Sequence, residues 1–258
     1  MATKRPAPKK RIRVASKQIL TFFEHLEELR GRLMIIAIVL ALATLAAFTF
    51  ADKILAVVIS PVGKVIFTSP TEGFNVNLIV AFCLGAIMAM PVVLYQVWQF
   101  VCVALKKDER RYVLVFIVPV FLFFILGCAF GYDVMLPMMM KFFLSFSTPY
   151  LIPMIRASEY VSFVATLVLA CGVIFEFPLV IVVLTKMGIA TPAFLIEKRR
   201  HALVGIFVVS AIITPSTDCV SQIIMAVPLI VLYEISIILS KVTFRLRSKK
   251  ENDLRDLS

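Results

Sequence analysis

Long apolar runs alternate with short charged stretches along this whole chain, a rhythm that predicts membrane-crossing helices. The first polar-to-apolar change is the most informative. Phe22, Leu26, Leu29 and Leu33 recur at helical period, while Glu24, Glu27 and Glu28 gather on the other face. From Leu33 to residue 51 the chain is almost pure hydrocarbon. The pattern predicts an amphipathic helix at a membrane surface that continues into a first span. Its acidic face is unusual, because helices on anionic lipid normally show basic residues. A partner other than lipid is therefore expected there.

Further spans follow in the same way. Residues 52–75, with Pro61, Gly63, Pro70 and Gly73, read as a loop with amphipathic pieces. A second span covers 76–105, with Pro91 inside it and Gln96 and Gln99 towards its end. A basic turn at 106–111 leads into a third span at 112–132, whose Gly127 and Gly131 give the small-xxx-small spacing of closely packed helices. Residues 133–158, broken by Pro137, Pro149 and Pro153, form a second loop. A fourth span at 159–185 holds Glu176 just before Pro178. Beyond a basic loop at 186–201, the charge-free runs 202–213 and 219–233 are only 12 and 15 residues long. About 20 apolar residues normally cross the hydrocarbon, so the fifth and sixth spans are expected to be short. The predicted fold is an all-α membrane protein of six transmembrane helices forming a concave bundle. Residues 1–21 and 242–258 are expected as tails, the first of them disordered, flanking a membrane domain at 22–241.

Composition agrees. With 61% hydrophobic and 17% charged residues and a mean hydropathy of +0.98, a soluble domain is excluded. A net charge of +11 would point a soluble chain towards nucleic acid. Here it reports orientation, and no nucleic-acid partner is expected. Of 27 Lys and Arg, all but Lys53, Lys64, Lys141 and Arg156 lie in 1–32, in 105–112, in 186–201 or in 241–258. The positive-inside bias then puts both termini in the cytoplasm. The five cysteines lie in or beside apolar runs without CxxC spacing, as small buried hydrophobes do.

No enzyme motif is present: GxSxG, HExxH, GxGxxG and Walker patterns are absent, and His25 and His201 lie in separate loops. Neither a metal site nor a cofactor is expected. The candidate chemistry lies in three acids. Glu176, deep in an apolar run, carries an insertion cost of about 2.5–3.5 kcal/mol if charged, which marks a polar cavity or a functional group. A protonated acid bonded between helices is the structural alternative. Glu28 and Glu109 sit at membrane edges among basic residues, and each has a local partner, Glu28 with Arg32 and Glu109 with Lys106. Together they offer two carboxylates to a ligand with two guanidinium groups.

These motifs, in this order, resemble the TatC family, the polytopic subunit of the twin-arginine protein translocase, over about residues 18–242. The resemblance is carried by Phe23-Glu24-His25-Leu26-Glu27-Glu28-Leu29-Arg30, Pro70-Thr71-Glu72-Gly73-Phe74, Pro91 with Tyr95-Gln96-Val97-Trp98, and Glu109-Arg110-Arg111. It continues through Gly172 to Pro178, Thr214-Pro215 with Asp218, Ser221-Gln222, Pro228 and Leu232-Tyr233-Glu234. Val103-Ala104-Leu105 departs from the family's usual Pro-Gly-Leu. The resemblance implies a non-enzymatic receptor in a bacterial inner membrane. It would bind twin-arginine signal peptides and export folded cargo using the proton-motive force. By the same carry-over, Glu28 and Glu109 bind the signal, Pro61, Phe100 and Asp218 matter for transport, and Glu176 is the intramembrane polar site. Thr214 and Gln222 pack against the single-span partners TatA and TatB, and a homo-oligomer is expected within the receptor complex. A proton-coupled small-solute transporter, with Glu176 and Glu234 as relay acids, is the competing class. It leaves the acidic surface helix and the lack of internal repeats unexplained.

Overall fold

The computed structural model describes residues 10–102, 113–148, 150, 153–214 and 218–255, and its regular elements are helices. In chain order they are α1 (Lys10–Phe48), α2 (Ala51–Ile59), α3 (Glu72–Cys102), α4 (Val113–Phe130), a π-helical turn (Gly131–Met135), α5 (Leu136–Leu144), α6 (Ala157–Phe175), α7 (Phe177–Met187), α8 (Pro192–Glu197), α9 (Arg199–Ile213) and α10 (Cys219–Arg255). Among the described residues, five stretches are long and apolar enough to cross a membrane: Leu26–Phe48, Glu72–Phe100, Ile117–Leu144, Ala157–Met187 and Cys219–Arg245. The fifth helix of the expected series, α9, has 15 residues. At 1.5 Å per residue it covers about 22 Å, short of a hydrocarbon core of about 30 Å.

Two expectations need correction, and two stretches expected as tails are helical where described. Of the stretch expected as a disordered tail, residues 10–21 are helical and continuous with α1. After Pro8 it holds no helix breaker and is rich in Lys, Arg, Ala and Gln, all good helix formers. The third span does not end at Tyr132. The π turn carries it into α5, and this turn places Pro137 at the start of a new helical segment, where a missing N–H costs nothing. Met135, Leu136 and Met139 consequently enter the core instead of lying in a loop. The sixth helix is not short. Its charge-free run stops at Glu234, but Glu234 is paired with Arg199 at 2.8 Å, so the helix passes it and continues to Arg255. That helix includes residues 242–255, which were expected as a tail.

The main core lies where α3, α4 and α6 meet under α2 and α5, around the fully buried Phe124, Met135, Leu136, Met139, Val161 and Leu167. Glycine makes the tightest of these contacts possible. A Cβ added at Gly127 would sit 2.6 Å from the Cys171 carbonyl oxygen and 2.9 Å from the Gly172 Cα. One added at Gly172 would sit 2.6 Å from the Phe124 ring. The Gly127/Gly131 spacing therefore does bring α4 against α6. Helix α1 packs on α3 at the edge of the bundle, where Gly85 of α3 meets the Thr44 backbone in the same manner. A smaller cluster of Ile181, Leu195, Tyr233 and Ile237 joins α7, α8 and α10.

This geometry separates two glycines. Gly127→Ala should lower stability by about 1–3 kcal/mol, because backbone atoms of α6 must move away. Gly205→Ala on α9 meets nothing within 4 Å and should be neutral or stabilising by up to ~1 kcal/mol through helix propensity. Thermal unfolding in detergent checks both, and equal behaviour of the two variants contradicts the packing described.

Candidate functional site

Arg30, Arg32, Lys186, Lys198, Arg199 and Lys241 mark one end of the bundle, here called the basic end. There Glu28 and Arg32 lie one turn apart on α1, as the i, i+4 spacing predicts. Arg32 donates from Nε to Glu28 Oε1 at 3.2 Å, and from Nη2 to the same oxygen. The contact extends beyond a surface pair. Arg32 Nη1 donates to Gln96 Oε1 at 3.2 Å and to Gln99 Oε1 at 2.8 Å, so α1 is tied to the last turns of α3. Phe100 follows on α3, half-buried. Glu109, the second acid of the expected pair, lies outside the described residues.

Glu176 stands at the junction of α6 and α7. Pro178 supplies no N–H, so the helix breaks there. The Glu176 N–H turns back to Val173 O at 3.1 Å, and Glu176 O takes the N–H groups of Leu179 and Val180, both at 3.0 Å. The side chain is 8% exposed, and its Oε1 is buried with no hydrogen-bond partner among the described residues. It lines a cavity of about 520 Å³ between α7, α9 and α10. The only other polar side chain in that lining is Tyr233, whose hydroxyl donates to Leu195 O at 2.7 Å. A lone acid thus faces an apolar cavity.

The α9–α10 hairpin holds three more candidates. Asp218 caps α10, its Oδ2 accepting the Ser221 N–H at 2.7 Å. Thr214 is buried and donates to Ser210 O at 2.9 Å, while Gln222 Nε2 donates to Phe207 O at 2.9 Å. Both expected partner-packing residues therefore bond within the hairpin. Around them the helices leave apolar side chains uncovered: Val204, Val208 and Ile212 on α9 (Ile212 77% exposed), and Val220, Ile223, Val227 and Val231 on α10. Pro61 lies exposed in the turn after α2, at the opposite end of the bundle.

One group was not singled out by its sequence. Glu72 opens α3 at the end opposite the basic residues and is only 3% exposed. Its Oε2 accepts the Thr68 N–H (2.8 Å) and hydroxyl (3.2 Å). Its Oε1 accepts the Ser158 N–H (3.0 Å) and hydroxyl (2.6 Å) in the first turn of α6. Arg156 Nη2 lies 3.9 Å away, and Ile66 forms a bridge with Arg156 through Ile66 N to Ile155 O (2.9 Å) and Ala157 N to Ile66 O (2.8 Å). The only sequence signal was an acid in the first turn of a helix within Pro70-Thr71-Glu72-Gly73-Phe74. Its main partner lies 86 residues away, beyond the reach of spacing arguments.

The model of the family described as "Sec-independent protein translocase protein (TatC)" matches residues 24–228. The Sec-independent protein translocase protein TatC of Aquifex aeolicus is 39% identical over 236 residues, covering 88% of this chain and 97% of its own. That of Carboxydothermus hydrogenoformans is 35% identical over 226 residues, covering 86% and 93%. A crystal structure of the twin-arginine translocase receptor TatC superposes with a TM-score of 0.78 at 38% identity, covering 85% of this chain and 99% of that one.

The Glu72 contacts give a stability prediction. Glu72→Ala removes the acceptor of four hydrogen bonds and leaves the Thr68 and Ser158 donors unpaired in a buried place, which should cost about 3–5 kcal/mol. Glu72→Gln keeps one acceptor oxygen and should cost less. Thermal unfolding measures the difference, and a Glu72→Ala variant as stable as the parent contradicts the part given to these contacts, the Glu72 latch between α3 and α6.

Proposed function

The chain belongs to the TatC family, and on that premise we propose that it is the receptor and polytopic core of a translocase. In this reading it recognises twin-arginine signal peptides and exports folded proteins on the proton-motive force, without enzymatic chemistry. One observation carries the recognition half. Glu28, at the basic end, already holds a guanidinium group, that of Arg32. That contact supports the reading that this carboxylate accepts the group a signal arginine would bring. Glu109 supplies the second carboxylate.

We further propose a six-span topology with both termini cytoplasmic and the basic end inside, in a bacterial inner membrane. The bias of Lys and Arg supports it, and the relatives named above are bacterial. The short α9 and the cavity under Glu176 support a concave face on the α7–α9–α10 side, thinning the bilayer or covered by partner helices. The uncovered apolar residues beside Thr214 and Gln222 suit the single-span subunits TatA and TatB, and copies of this chain would assemble within the receptor complex. Pro61, Phe100 and Asp218 are proposed to matter for transport: Asp218 by starting α10, Phe100 by flanking the Arg32 contacts, and Pro61 by shaping the turn after α2. The solute-transporter reading is not favoured. Its second relay acid, Glu234, is spent on Arg199 away from the Glu176 cavity lining.

Two measurements test this. Charge-assisted hydrogen bonds contribute about 1.5–3 kcal/mol each, so Glu28→Gln and Glu109→Gln should each weaken binding of a twin-arginine peptide by about tenfold or more. The double variant should lose less than the sum if both acids serve one ligand. Unchanged affinity in both single variants sinks the assignment. For topology, in a cysteine-free background Phe67→Cys should label from outside intact cells and Lys250→Cys only after permeabilisation. External labelling at residue 250 overturns the orientation.

A further inference from the structure

Arg32 does more at the basic end than neutralise Glu28. Its guanidinium is held at three of its nitrogens. Nε and Nη2 bond to Glu28 Oε1, and Nη1 bonds to the side-chain oxygens of Gln96 and Gln99, one turn apart on α3. Its side chain is 13% exposed, against 33% for Glu28. The guanidinium is therefore held from both helices, by Glu28 on α1 and by Gln96 and Gln99 on α3. Glu28, a flexible acid on α1, has one oxygen fastened to that group.

We propose that Arg32 is a positioning residue: anchored by Gln96 and Gln99, it fixes the plane in which Glu28 presents its carboxylate, and this sets the preference for arginine over lysine in the ligand. The inference rests on the reading that Glu28 receives a signal arginine. A guanidinium is a planar fork whose bonds to a carboxylate depend on a shared plane. An ammonium is a compact charge with rotatable donors and is nearly indifferent to that plane. A carboxylate held at a fixed angle thus rewards arginine selectively. The positive charge of Arg32 has a different effect: it lowers the affinity of any incoming cation, arginine and lysine alike. The ratio of the two affinities therefore isolates orientation from charge.

The test is binding of a twin-arginine peptide and its twin-lysine counterpart to the full-length protein in detergent, with thermal stability recorded for each variant. Arg32→Lys keeps the charge and loses the fork. It should cut the arginine-to-lysine affinity ratio by about fivefold or more, mainly by weakening the arginine peptide. The paired change Gln96→Ala with Gln99→Ala leaves Arg32 and Glu28 in place but frees the fork. It should reduce the ratio in the same direction, and it keeps the proposal testable if Arg32→Lys fails to fold. A ratio unchanged in either folded variant overturns the proposal, as does Arg32→Gln raising both affinities by one common factor. Glu28→Gln separates the two levels. If it lowers arginine binding while the Arg32 and glutamine variants leave the ratio intact, the signal-binding reading stands and the positioning role falls. If it changes nothing, both fall.

Discussion

In hydrocarbon no water is available to pair a polar group, so every one placed at depth has to be satisfied within the protein. This constraint organises the polar side chains of the chain. Thr44, Thr185, Ser236 and Thr243 each return a hydroxyl to the carbonyl four residues back, at 2.6–2.8 Å, and so disappear into their own helices. Thr185 also meets Ser240 at 2.8 Å, joining α7 to α10 through two small polar groups. Glu72 satisfies the same rule with four donors from two other segments. Glu176 Oε1 has no hydrogen-bond partner among the described residues, and a buried acid oxygen on an apolar cavity is costly enough to need a reason outside packing. Its cost is the argument for a ligand or partner at the cavity.

The same rule divides the molecule into a close-packed part and a sparsely packed one. Where α4 meets α6, Gly127 and Gly172 let backbones approach, and the core is filled by Phe124, Leu136 and Leu167. Where α9 meets α10, much of each helix is uncovered, and polar links, Arg199 to Glu234 at one end and Gln222 to the Phe207 carbonyl towards the other, join apolar packing by Ala202 and Ile206.

How much of this was legible in the chain depended on whether the cause was local. Span positions, the break at Glu176-Pro178, the α4–α6 glycines and the Glu28–Arg32 pair all arise from residues within a few turns of one another, and the sequence shows them. The continuation of the third span was hidden because a π turn re-phases a helix without any composition signal, so Asp133 and Pro137 looked like a loop. The length of α10 was hidden because Glu234 looks like a terminus until its partner on α9 is known. The Glu72 latch and the Gln96–Arg32–Gln99 anchor involve partners 64 to 86 residues apart. No periodicity encodes contacts at that range. The candidate site was therefore readable as a set of acids, but not as the network that fixes their directions.

That network converges on α3. Its 31 residues span about 46 Å, enough to carry a separate contact at each end. Its first residue, Glu72, is bonded to the start of α6, Gly85 near its middle seats the Thr44 backbone of α1, and Gln96 and Gln99 near its end hold Arg32. Helix α1, exposed over much of its length, packs along α3, and those last two contacts are among the points that hold it there. The direction of the Glu28 carboxylate is thus referred to α3, and through Glu72 to α6, the helix that leads into Glu176. A rigid helix with fixed contacts at both ends couples two distant sites only by what it holds in place. Here it carries the Gln96 and Gln99 contacts to Arg32 at the basic end and the Glu72 contacts to the start of α6 at the other.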